Sequence, residues 1–255
     1  MLNENDLNDL LSIACEAAIK AGVFLKDFRA SGVVVEFDEG KDVKLIADKK
    51  SEEIFIRFLM ERSSFPILSE ERGWVEGRQK DTDLCWIVDP LDGSLNYLRD
   101  IPICCTSIGL WCGETPLLGA IYDFNREELF SGIVGIGASL NSHPIRTSAA
   151  LDISAAVLCT GFPVSTDFSS YALQRLVEQI QRYRKIRLIG SAALSLAYVA
   201  AGRADCYYEK DIRLWDVAAG IAIVKAAGGQ TVWSPSVHEY VLSLCAANEF
   251  LPPVF

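Results

Sequence analysis

The chain has 255 residues, half of them hydrophobic and 23% charged, enough for one large domain or two closely packed ones of about 100–200 residues each. That balance excludes a largely disordered chain, and a net charge of −10, from 34 acidic and 24 basic residues, argues against a nucleic-acid binder that works through a basic face. His143 and His238 are the only histidines, so a zinc site or a Ser/His/Asp triad has little material to draw on.

Met1–Asp6 is acidic and lacks the basic-then-apolar order of a signal peptide. Gly or charged residues interrupt every long apolar run, so no membrane span is expected. The eight cysteines form no CxxC pair and mostly sit in apolar text such as Leu84-Cys85-Trp86-Ile87-Val88, which points to buried thiols in a reducing, cytoplasmic compartment. A first helix is expected after Asn5 or Asp6 as cap, with Leu7, Leu10, Leu11, Ala14, Ala18, Ala21 and Leu25 on one face. Val33-Val34-Val35 follows as a short β-branched run, and the charged, Gly-containing stretch Glu36–Lys44 is expected to be a mobile loop. A second helix is expected over 49–62, with Ile54, Phe55, Phe58 and Leu59 inward. From Cys85 to Ser131, strands are broken by turn signals at Gly113-Glu114 and Asn125-Arg126, as in an antiparallel sheet. Beyond residue 150, strands around 156–159, 186–189, 205–208 and 241–246 alternate with helices around 171–181, 191–201 and 216–227, an α/β layout. The expected organisation is an N-terminal α+β half, residues 1–148, and a C-terminal α/β half, residues 149–255, sharing a tight interface.

The segment richest in chemistry is Trp86-Ile87-Val88-Asp89-Pro90-Leu91-Asp92-Gly93-Ser94-Leu95-Asn96-Tyr97. An apolar strand delivers Asp89 to its carboxyl end, Pro90 biases Asp89 toward extended backbone, and Gly93 permits a tight turn. Asp89, Asp92 and the Leu91 carbonyl can converge on one point, a site for a hard divalent cation. Standing alone, the segment would read as a surface turn. Elsewhere Ser69-Glu70-Glu71 ends the apolar strand Phe65–Leu68, Asp216 opens a helix after Trp215, and Asp48 stands at the start of the second helix. A solvated loop explains Glu70 taken singly and helix capping explains Asp48 and Asp216, but all of these acids lie at strand–helix junctions in apolar text.

Together with Thr160-Gly161-Phe162-Pro163, Gly190-Ser191-Ala192-Ala193, Ala204–Glu209 and Trp215–Gly220, these motifs resemble the inositol monophosphatase family of Mg²⁺-dependent, lithium-sensitive sugar phosphatases over nearly the whole chain. The resemblance implies a layered αβαβα sandwich with an antiparallel N-terminal sheet and a mixed C-terminal one, and a cytoplasmic homodimer. It implies that Glu70, Asp89 and the Leu91 carbonyl hold a first Mg²⁺ and that Asp89, Asp92 and Asp216 hold a second, with a third on Glu70. Asp48 and Ser94 would deprotonate the attacking water, with Glu70 beside them, and the Gly93 and Ser94 amides would hold the phosphate. Gly190, Ser191, Ala192 and Glu209, with Asp92 and Asp216, would contact the substrate. The chain departs from the family pattern in having Ser94 where Thr is usual, and Lys44-Leu45-Ile46-Ala47-Asp48 where Val-Thr-x-x-Asp is usual.

The implied activity is hydrolysis of a small polyol or sugar phosphate, with inositol 1-phosphate favoured by Asn96-Tyr97 and Glu209. Fructose-1,6-bisphosphate, 3′-phosphoadenosine 5′-phosphate and histidinol phosphate are the alternative substrates. An aspartyl-phosphate mechanism would need DxDx(T/V), which the two-residue gap in Asp89-Pro90-Leu91-Asp92 does not provide. A non-catalytic relative that binds a phosphorylated ligand or a protein is the alternative of another class.

Overall fold

The computed structural model describes residues 2–30, 35–39, 42–79, 82–162 and 168–252. The amino-terminal half runs α1 (Glu4–Ala30), β1 (Val35–Glu39), β2 (Asp42–Leu45), α2 (Ile46–Arg62), β3 (Ile67–Ser69), β4 (Gly73–Val75), β5 (Leu84–Asp92), α3 (Ser94–Leu98), β6 (Cys105–Cys112), β7 (Thr115–Asp123), β8 (Glu128–Ile133), β9 (Gly137–Leu140) and β10 (His143–Ile145). The remainder runs β11 (Val157–Thr160), α4 (Ser170–Ile180), β12 (Lys185–Arg187), α5 (Ala192–Ala200), β13 (Cys206–Arg213), α6 (Leu214–Ala226), β14 (Gln230–Pro235) and β15 (Val241–Ala247).

An eight-stranded sheet has the order β10-β9-β8-β7-β6-β5-β3-β4, and a five-stranded sheet the order β12-β11-β13-β15-β14. The first is antiparallel except where β3 runs parallel to β5, with Ser69 opposite Val88. That exception puts the carboxyl ends of both strands, and so Glu70 and Asp89, at one edge. The second sheet is mixed: β11 is parallel to β12 and β13, while β15 is antiparallel to β13 and β14. The expected antiparallel and mixed sheets are therefore both present.

α1 and α2 cover one face of the large sheet through a core that includes Ala14, Leu25, Phe55, Leu59, Trp86 and Ile108. α5 and α6 fill the space between the sheets, and α6 is buried from Val217 to Val224, as a helix with apolar residues all round must be. α4 packs on the outer face of the small sheet through Ile180, beside Leu158, Cys206 and Tyr208. The layering is thus αβαβα. Gly109 and Gly119, partners across β6 and β7, let α6 approach closely: a Cβ on Gly119 would lie 2.5 Å from the Ala219 carbonyl oxygen. Trp111 Nε1 donates to the Ala218 carbonyl at 3.1 Å and fixes the same contact from its edge. The core therefore seats the helix that carries Asp216 directly against the sheet that carries Asp89.

The expectation of a mobile loop over 36–44 is corrected: β1 and β2 form an antiparallel hairpin, with Asp38 opposite Val43 and Glu39 opposite Asp42. Its charge density hid a strand pattern. Val33, Val34, Gly40, Lys41 and Pro163 lie outside the described residues. The cap of the first helix is also corrected. Asn3 is the cap, accepting from the Asp6 amide at 3.0 Å, while Asp6 reaches back to the Asn3 amide at 2.9 Å. The second helix begins at Ile46 rather than 49, which moves Asp48 into its first turn.

No disulfide joins any of the eight cysteines. No helix of the described residues is long and apolar enough to cross a membrane.

Candidate metal and phosphate site

Three carboxylates meet where strands end and a helix starts. Glu70 follows β3, Asp89 lies near the end of β5, and Asp216 is in the first turn of α6; one ligand oxygen from each lies within 4.8 Å of the others. Asp89 is almost fully buried, and its Oδ1 accepts from the Leu91 amide at 3.0 Å, closing the turn around Pro90. Burial pushes the Asp89 pKa well up, and the neighbouring charges of Glu70, Asp92 and Asp216 push it further. Burial and the charges of Glu70, Asp92 and Glu209 do the same to Asp216. Carboxylates crowded in this way repel one another, and an all-oxygen donor set of this kind fits a hard divalent cation.

Asp48 and Asp216 hold the same place in their helices, the third helical residue. Asp48 Oδ2 accepts from the Leu45 amide at 2.6 Å, and the Asp216 carboxylate accepts from the Arg213 amide. Capping is therefore a real function of both residues, as the sequence suggests, but Asp48 also turns its second oxygen elsewhere. Its Oδ1 lies 3.1 Å from Ser94 Oγ, which is also 3.0 Å from the Leu91 carbonyl oxygen. The hydroxyl has one proton and so donates to one of these at a time.

Asp92 is engaged from the other half of the chain. Ser191 Oγ donates to its Oδ2, the Ala193 amide donates at 2.8 Å, the Ala192 amide donates to Oδ1 at 3.3 Å, and the Cys105 thiol lies 3.7 Å away. These donors oppose the rise in pKa that burial imposes on Asp92. Asp92 thus faces the amino end of α5, and Ser191, as the α5 cap, accepts from the Leu194 amide at 3.2 Å. Gly93 adopts φ 88, and a Cβ there would lie 2.9 Å from the Ile103 carbonyl, so the turn between β5 and α3 requires glycine. Gly190, at φ 73, sits beside Asn96, whose Nδ2 lies 2.8 Å from the Ile189 and Ile103 carbonyls and 3.3 Å from that of Gly190. Glu209 lies near Asp92 and Asp216 in charge terms, and burial raises its pKa from 4.5 to about 7.

Glu52 and Ser51 are contributors that sequence reasoning missed. The fully buried Ser51 donates to the Pro90 carbonyl at 2.8 Å. Glu52 Oε1 accepts from the amides of Glu71 at 3.2 Å and Arg72 at 3.0 Å, gripping the turn that presents Glu70. A signal was available: Asp48, Ser51, Glu52, Phe55 and Leu59 fall on one helical face, so polar residues continue the apolar stripe.

The model of the inositol monophosphatase family, a family of phosphatases, matches residues 6–241. The chain is 38% identical over 243 residues to the Nus factor SuhB of Pasteurella multocida, covering 93% of this chain and 90% of that protein. It is 37% identical over 240 residues to the inositol-1-monophosphatase of Synechocystis sp., covering 90% and 80%. Among solved structures it is similar to the extragenic suppressor protein suhB from Bartonella henselae, with TM-score 0.85, 34% identity and 94% of each chain covered. The chain belongs to the inositol monophosphatase family.

Proposed function

We propose that the protein is a Mg²⁺-dependent phosphomonoesterase for a small polyol or sugar phosphate, with inositol 1-phosphate as its substrate. The observation that carries this reading is the meeting of Glu70, Asp89 and Asp216 beside the Asp48–Ser94 pair. Glu70, Asp89, Asp216 and the Leu91 carbonyl would hold Mg²⁺, with Asp92 completing the set. When bound, Mg²⁺ neutralises phosphate charge and acidifies water, in two or three ions per site. Asp48 accepts the Ser94 hydroxyl proton, which leaves the Ser94 oxygen able to take a proton from the attacking water. Glu70 contributes to the same water-activating side. The Gly93 and Ser94 amides bind the phosphate, and Gly190, Ser191, Ala192 and Glu209, with Asp92 and Asp216, meet the substrate's hydroxyl side. In this reading residues 1–148 supply most of the metal site and residues 149–255 most of the substrate contacts, Asp216 belonging to both functions.

The inositol-1-monophosphatase name of one relative supports the substrate class. The proposal extends to lithium inhibition, a homodimer and a cytoplasmic location, the last supported by eight cysteines without a disulfide. Nucleic acid and membrane have no part in it. The test is phosphate release from inositol 1-phosphate, fructose-1,6-bisphosphate, 3′-phosphoadenosine 5′-phosphate and histidinol phosphate, each with and without Mg²⁺ and Li⁺. Asp89→Asn and Asp216→Asn should abolish Mg²⁺-dependent release while leaving the fold intact, and Ser94→Ala should lower kcat more than it changes binding. Near-wild-type turnover in either aspartate variant would sink the metal assignment. Tight binding of one ester without its hydrolysis would favour a non-catalytic ligand-binding role.

A further inference from the structure

Glu209 sits on β13 two residues after Tyr207, so their side chains share one face of the strand. Tyr207 is fully buried, and its hydroxyl donates to Glu209 Oε2 at 2.8 Å. Among the described residues this is the one hydrogen bond that the carboxylate makes, which leaves Oε1 for a ligand. On the neighbouring strand β11, Thr160 is opposite Tyr208, so Gly161 comes level with Glu209. The bond from Thr160 Oγ1 to the Tyr208 carbonyl, at 2.6 Å, locks that register.

Gly161 is absent from the positive-φ positions, so its backbone conformation does not call for glycine. Space does: a Cβ there would run into Glu209 Oε2, the oxygen that Tyr207 holds, and would lie 2.6 Å from Oε1. The glycine of the Thr160-Gly161 motif therefore leaves room for the whole carboxylate in the position at which Tyr207 holds it.

We propose that Tyr207 and Gly161 are positioning residues that set the preference for hydroxyl-bearing phosphate monoesters, by holding Glu209 so that Oε1 faces the substrate. This rests on the reading of Glu209 as a contact to substrate hydroxyls and deepens it. Neither residue touches the reacting phosphate. Their effect is on how a polyol is recognised, not on how the ester bond is broken.

The experiment compares the full chain with Mg²⁺ on inositol 1-phosphate and on 4-nitrophenyl phosphate, which has no ring hydroxyls. The variants are Tyr207→Phe, Gly161→Ala and Glu209→Gln. Glu209→Gln should lower kcat/KM for the inositol ester relative to the aryl ester by about 10–100-fold, and the other two by about 3–30-fold in the same direction, mainly through KM. Calorimetric titration with the product polyol, myo-inositol, should show the same order of weakening without any turnover. Gly161→Ala should add little to Glu209→Gln in the double variant, since both act on one carboxylate. A ratio that moves in Glu209→Gln but stays at the wild-type value in both Tyr207→Phe and Gly161→Ala would overturn the positioning role and leave the Glu209 contact standing. A ratio unmoved by Glu209→Gln would overturn both. Gly161→Ala meets the carboxylate group of Glu209 before any backbone, so it keeps the test decisive where Tyr207→Phe fails to fold.

Discussion

Burial holds the proton of Glu209 to about pH 7, against an ordinary glutamate value of 4.5. The folded form keeps that proton where the unfolded chain releases it, so the associated stability is complete below about pH 4.5 and is lost as the pH rises through about 7. In the presence of a chelator, the protein should unfold at lower denaturant at pH 8 than at pH 5. Glu209→Gln should flatten that slope by on the order of 3 kcal/mol across the range. An unchanged slope would mean that Glu209 is ionised in the fold. Glu52 poses a different question, because its carboxylate meets the Glu71 and Arg72 amides rather than a ligand. Glu52→Ala should cost about 1–3 kcal/mol and weaken Mg²⁺ binding about 10–100-fold, both read from Mg²⁺ titrations of thermal unfolding, with Glu52→Gln recovering part of the loss. Asp89, Asp92 and Asp216 were legible because an acid at a strand–helix junction in apolar text is conspicuous. Glu52 was not, because in a helix that also carries Glu53 and Glu61 it looks like one more solvated acid.

Among the elements, α1, α2 and α6 open alike, each with an aspartate three residues past the cap that reaches back to the cap's amide. In α1 this is capping alone; in α2 and α6 the same geometry also aims a carboxylate at the site. Sequence reading recovered α1 and α2 because their apolar spacing is regular, and α6 because an apolar run follows Trp215-Asp216 and stops at Gly228-Gly229. It lost the β1–β2 hairpin, where charge masks alternation, and it ended β13 at 208, because Glu209-Lys210-Asp211 breaks the apolar run. The strand in fact continues to Arg213 through an irregularity at which Asp211 takes φ 53. α3 is too short to show a period, yet its Asn96 ties 189–190 and Ile103 together. Asn96→Ala should raise KM more than it lowers kcat and cost about 1 kcal/mol in denaturant unfolding. A pure kcat loss would argue against a role in shaping the 189–191 turn.

For the molecule as a whole, the acidic cluster sets stability against function. Asp89 is buried among like charges, so Asp89→Asn should make the metal-free protein more stable than wild type while removing the rise in Tm that Mg²⁺ gives the wild type. Calorimetry with chelator and with Mg²⁺ checks both halves of that expectation, and a destabilised metal-free variant would contradict the first. The change of pattern near residue 150 foretold an α+β half followed by an α/β one, while the layering itself was implied by the family resemblance. The resemblance also joined Asp89 and Asp92 to Asp216 in one site shared by both halves, but not the contacts that align them, such as Asp92 with Ser191, 99 positions apart. That contact joins a side chain from the large sheet to the start of a helix beyond it. The site is therefore a gauge of alignment between layers: a slip of about an ångström would pull its two sides out of reach while leaving each core packed. On warming, activity should then fade before secondary structure does, and the lifetime of the working protein would be set at the seam between its layers.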